Sequence, residues 1–135
     1  MSNQIVIRIT RHDLDEDRAA YLRAVYGDDV AVVTEDIRYG DDPVAEVRAL
    51  VERVEATEGG KVVAVEAQAP FPVLMRLVDQ ARRQLGVPLI RAQFARDEGG
   101  RAIVTGQDSG GRDLLKFAYY EELERIEFQV RRLGS

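Results

Sequence analysis

The chain has 135 residues, no cysteine and a formal net charge of −5. That length supports one domain with its own core rather than two, and the missing cysteines exclude a disulfide framework and a zinc–thiolate site. The acidic balance argues against a duplex-DNA binder, which needs a dense basic face.

Apolar residues make up 45% of the chain and charged residues 32%, spread along its length as in a folded globule. The start, Met1-Ser2-Asn3-Gln4, has no basic segment, apolar segment or long apolar span, so the expectation is a soluble, cytoplasmic protein with no membrane partner. The charges are unevenly placed: the first sixty residues carry twice as many acidic as basic side chains, and the remainder is slightly basic. All the basic residues except Lys61 and Lys116 are arginine, which suits bidentate phosphate or carboxylate contacts and equally reflects genomic base composition.

Ile5-Val6-Ile7-Arg8-Ile9 reads as a strand buried on both faces, ending at Thr10-Arg11-His12. Asp13 then precedes apolar residues at helical spacing (Leu14, Tyr21, Leu22, Val25). Asp15, Glu16 and Asp17 fall in the first turn, where carboxylates favour the helix dipole, and Gly27 is the stop. Val30 to Val33 is a second strand. Asp42 and Pro43 open a helix lined by Val44, Val47, Leu50, Val51 and Val54, which Gly59-Gly60 closes. Lys61 to Glu66 is the third strand, a third helix runs from Phe71 or Pro72 to Leu85, and the fourth strand spans Pro88 to about Ala95.

Strands alternating with helices at this spacing predict right-handed crossovers and a parallel sheet. The expected fold is a Rossmann-like α/β three-layer sandwich with about four parallel strands. Residues 1–135 form the single domain, and 97–135 form a C-terminal β-hairpin extension. Within that extension Leu114 to Tyr119 is expected to pair with Ile126, Phe128 and Val130 across a turn at Tyr120 to Glu124. One helix from Asp113 to Arg125 is the competing reading. Strand orders 2-1-3-4 and 3-2-1-4 both satisfy the crossover rule.

In such sheets ligands bind beyond the carboxyl ends of the strands. That rule selects Thr10, Arg11 and His12 after strand one, Asp36 to Tyr39 after strand two, Glu66 and Gln68 to Phe71 after strand three, and Arg91 to Arg96 along strand four. His12, the only histidine, could act as a general acid or base or donate to a phosphate, and equally could be an ordinary loop residue. A lone histidine gives no metal site. The start of the third helix could hold an anion, although Pro70 and Pro72 have no N–H to offer. No dinucleotide fingerprint or P-loop is present. Tyr119 and Tyr120 could stack on a base, line a dimer surface, or simply pack.

Taken together, Arg11-His12 after the first strand, Gln68 to Phe71 at a helix start, Val87-Pro88-Leu89-Ile90-Arg91-Ala92, and a terminal segment with Phe117 and Tyr119 resemble the small CRISPR-associated proteins with a CARF-like domain. These include the stand-alone ring nucleases of antiviral defence. The resemblance covers most of the chain in topology. It implies a homodimer that binds a cyclic oligoadenylate, a small nucleotide ligand, and sequesters it or cleaves it with no metal or cofactor through the ribose 2′-OH. His12 and Arg11 would be the catalytic pair. Thr10, Gln68, Ala69 and Phe71 would cradle the ligand, with Arg91 or Arg96 offsetting its charge.

Two other readings stand beside it. One is a non-catalytic Rossmann-like interaction module, homo-oligomeric and of viral or mobile-element origin. The other is a phosphate-handling enzyme using Mg²⁺ on Glu35, Asp36, Asp41 and Asp42, residues that would otherwise serve only as a cap and a solvated face.

Overall fold

The computed structural model describes residues 3–125, 131, 133 and 134. In chain order the elements are β1 (Gln4–Ile9), α1 (Glu16–Tyr26), β2 (Ala31–Glu35), α2 (Pro43–Glu58), β3 (Lys61–Ala67) and α3 (Phe71–Gln80). A π-helical turn (Ala81–Leu85) follows, then β4 (Leu89–Phe94), β5 (Val104–Gln107), β6 (Asp113–Leu115) and β7 (Phe117–Leu123). Five strands form one sheet in the order β2-β1-β3-β4-β7, and β5 with β6 forms a separate ribbon. The first four strands of the sheet are parallel, and β7 runs antiparallel to β4. The architecture is therefore α/β with a mixed, mostly parallel sheet, and of the two strand orders open to the sequence it has 2-1-3-4.

That order fixes the layers. The chain moves one way across the sheet from β1 to β2 and the other way from β2 to β3, so right-handed crossovers place α1 on one face and α2 with α3 on the opposite one. Ile5, Ile7 and Ile9 accordingly join Val47, Leu50, Val54, Leu77 and Val78 in one core cluster. Val6 joins Leu22, Ala64, Ile90, Phe117 and Tyr120 in the other. No helix among the described residues is long and apolar enough to cross a membrane.

The helix ends follow local chemistry. Asp42 accepts from the Ala45 N–H with Pro43 in the first turn, and Gly59 closes α2 in the left-handed conformation. α1 starts later than its apolar spacing suggests, because Asp15 is the cap and accepts from the Arg18 N–H. Leu14 thus lies before the helix and packs against the α1-side cluster.

The described part of the tail differs from the expected turn at Tyr120 to Glu124 and from the helical alternative. The run from Leu114 to Tyr119 is split at Lys116, whose N–H donates to Ile103 O and whose carbonyl accepts from the Ala95 N–H. Leu114 and Leu115 pair with β5, whereas Phe117 to Leu123 extends the main sheet along β4. Tyr120 to Leu123 is therefore strand rather than turn, and no helix spans 113–125. The helix propensity of Glu121 and Glu122 is overridden by the free edge of β4 and by burial of Phe117 and Tyr120 against Tyr21. The expected strand at 126–130 lies outside the described residues.

Candidate functional site

The connections leaving β1 and β3 run to opposite sides, so the crevice beyond their carboxyl ends is the topological switch point. Thr10 and Gln68 meet there. The Thr10 hydroxyl donates to Gln68 Oε1 at 2.8 Å and accepts from the His12 N–H at 3.2 Å. The main chain is bonded on both sides, Thr10 N–H to Glu35 O and Gln68 N–H to Ile9 O. Thr10 is buried, while Gln68, Arg11 and His12 are exposed at the rim.

Beneath this rim lies a buried charged network that the sequence did not advertise as a unit. Arg8 is 2% exposed and Glu66 4%, and Arg8 Nε donates to Glu66 Oε1 at 3.1 Å. Arg8 Nη1 turns away from the carboxylate to Thr34 Oγ1 at 3.2 Å and the His12 carbonyl at 3.3 Å. From β7, the Tyr120 hydroxyl donates to the same Glu66 oxygen at 2.8 Å. Tyr120 can cross β4 to reach β3 because its register partner there is the small Ala92. The available signal was an arginine inside an otherwise β-branched strand with a glutamate ending another strand. Opposite charges placed in two buried strands call for each other.

The remaining expected residues are dispersed. Ala69 is half-buried and Phe71 is 50% exposed at the start of α3. Pro72 has no N–H, the Leu74 N–H is already bonded to Pro70 O, and no side chain among the described residues caps the helix, so its first turn is poor in anion donors. Arg91 alternates with Ile90 and so lies on the α2/α3 side of the sheet, away from Arg8. It donates through Nε to Glu121 Oε1 at 3.1 Å, and Gln93 donates to the same oxygen. Arg96 holds the turn after β4 through Gly100 O. Of the acidic residues considered for Mg²⁺, Glu35 takes both Arg53 terminal nitrogens and Asp42 caps α2. Among the described residues no three His, Asp or Glu side chains are grouped to hold a metal.

The tip of the β5–β6 ribbon also approaches the rim. Asp108 Oδ1 accepts from the N–H groups of Gly110 and Arg112, and Asp108 O accepts from the Gly111 N–H, closing a tight turn. These backbone bonds, that of Arg112 first, hold the Asp108 carboxyl below its usual range, and the His12 charge is close enough to add to the effect.

Burial pushes the Tyr120 hydroxyl well above its ordinary value of 10.0, with Glu66 adding to the shift by its charge and as hydrogen-bond acceptor. Tyr39, whose hydroxyl is buried with no hydrogen-bond partner among the described residues, is pushed up to about 12 by burial and by Glu46 and Asp36. Above pH 10 the unfolded chain loses phenolic protons that the folded chain keeps. Stability therefore falls as pH rises from about 10. Tyr120→Phe is expected to cost about 1.5–3 kcal/mol at neutral pH, the range for a hydrogen bond to a charged group, and to make the alkaline decline shallower. Urea unfolding at pH 8 and pH 11 reads both effects, and an unchanged alkaline slope would count against the buried phenol.

No family model, no curated protein and no solved structure matches this chain.

Proposed function

We propose that the chain is a Rossmann-like domain of the CARF-like kind that binds a cyclic oligoadenylate at the switch point. The observation that carries this reading is the Thr10–Gln68 hydrogen bond across the crevice between β1 and β3, with His12 held on the same hydroxyl and Arg11 beside it. Polar groups from two strands converge where an open parallel sheet presents its ligand groups. Arg11 and His12 meet the phosphates, and Gln68 faces the ligand from the other strand. Two copies related by a two-fold axis would present two such rims to one ring.

The test is a thermal-shift screen with cyclic and linear oligoadenylates, dinucleotides and inorganic phosphate, since a ligand of the folded state raises its melting temperature by mass action. A rise with one cyclic oligoadenylate, lost in His12→Ala and Arg11→Ala, is the expected result. Incubation of that ligand with the protein in EDTA then reads ring opening without metal. No shift with any nucleotide would sink the reading.

A second reading, the non-catalytic interaction module, is favoured by the β5–β6 ribbon. All four residues of β5 are exposed, and Val104 and Leu114 present apolar side chains to solvent. A two-stranded ribbon on its own is marginal in water, which suits a segment that pairs with another surface. This reading expects no nucleotide affinity and full tolerance of His12→Ala in partner binding.

A further inference from the structure

We propose that Arg8 is a positioning residue that sets His12 in the switch-point site, acting from below through the His12 carbonyl. The inference rests on the site reading above and adds to it the group that orients its rim.

A guanidinium opposite a carboxylate prefers two parallel N–H···O bonds, the strongest arrangement open to the pair. Arg8 offers Glu66 only Nε and directs Nη1 to the His12 carbonyl and the Thr34 hydroxyl. The second carboxylate bond is given up to hold a loop. Stability alone does not account for the pair either, because well-packed apolar residues commonly replace a buried ion pair without loss.

His12 is itself held at its backbone. Its N–H is held by the Thr10 hydroxyl and its C=O by Arg8, so the backbone is fixed at both polar groups of one residue by two buried side chains. The imidazole meanwhile stands exposed at the rim. An ordinary loop histidine has no need of this. A side chain that must meet a ligand does, because a site performs only if its contact groups are held within a fraction of an ångström by residues that are themselves locked. Glu66 and Tyr120 lock Arg8 in turn, so the placement of His12 is tied through the network to β7.

The test uses Arg8→Lys, which keeps a positive charge beside Glu66 but has no planar fork to span both the carboxylate and the His12 carbonyl. Arg8→Met combined with Glu66→Leu, which removes the bond to the His12 carbonyl without leaving a buried charge unpaired, is the second variant if the first does not fold. Backbone amide relaxation of residues 11–13 is measured by NMR in the wild type and in the variants. The single histidine makes its imidazole resonance unambiguous.

The expected result is a wild-type loop with order parameters near the rigid value of about 0.85, falling below about 0.6 in the variant while the rest of the sheet is unchanged. Affinity for the cyclic oligoadenylate should fall at least tenfold. If the variant is folded and residues 11–13 stay as rigid as in the wild type, Arg8 is a packing residue and the proposal is overturned. If the loop loosens but the wild type itself binds no oligoadenylate, the positioning role stands and it is the ligand that has been misassigned.

Discussion

Arg8→Met is expected to cost the fold about 3–5 kcal/mol, because it leaves the Glu66 carboxylate buried without its counter-charge. The same loss is expected for Glu66→Leu, which strands a guanidinium inside the sheet's α1-side layer. The double substitution Arg8→Met with Glu66→Leu should recover much of either single loss, since neither charge then remains to be desolvated. Recovery will not be complete, because the Tyr120 hydroxyl loses its acceptor, and a buried donor left unsatisfied costs about 1–3 kcal/mol. Adding Tyr120→Phe removes that donor and should bring the triple variant closest to the parent. Urea unfolding of the five proteins supplies the cycle. Equal losses in the single and double variants would show that the cost lies in packing volume and not in charge. The triple variant is also informative about function: a chain that folds as well without the network shows that stability is not what the network supplies.

How much of this could be read from the sequence depended on the distance over which each signal acts. The first four strands and three helices are local patterns, and they emerged where alternation or helical spacing is carried by neighbours, as in Ile5 to Ile9 or Val44 to Val54. The rim of the site follows from strand ends alone, which is why Thr10, His12 and Gln68 are legible in the sequence. Arg8 is not, because an arginine in a β-branched run looks like an interruption until its partners are known. Those partners are Thr34 and Glu66 on two other strands, and Glu66 in turn accepts from Tyr120 on a third. Tyr120 reads as a turn residue for a related reason. Its strand is selected by the edge of β4 and by the space over Ala92, and neither is visible in the composition of residues 117–123. Arg91 and Arg96 looked available as isolated letters, and the structure commits them to Glu121 and to the Gly100 carbonyl.

The adjacent glycines at the end of α2 offer the second large effect, and they are glycine for opposite reasons. Gly59 has φ 72°, the left-handed conformation that ends the helix, and its missing side chain would meet nothing within 4 Å. An alanine there suffers only the backbone strain of that conformation, about 1–2 kcal/mol, and Asn, which tolerates it better, should cost less than Ala.

Gly60 has no such conformational need. A Cβ at that position would lie 2.4 Å from the Asn3 carbonyl oxygen and 3.1 Å from Ile5 Cδ1. The oxygen is backbone, and it is the acceptor for the Lys61 N–H at 2.6 Å, the bond with which the β1–β3 ladder begins. Gly60→Ala must therefore push the first strand away from the third. The cost combines overpacking of about 1–3 kcal/mol with a weakened ladder bond of about 1 kcal/mol.

The expected order of stability is wild type, Gly59→Asn, Gly59→Ala and Gly60→Ala, with Gly60→Asn lowest because a larger side chain meets the same backbone. Thermal and urea unfolding of the four variants measures it. If Gly60→Asn were milder than Gly60→Ala, conformation would be the constraint at 60 as well, and the close approach of Asn3 would not be what holds that position to glycine.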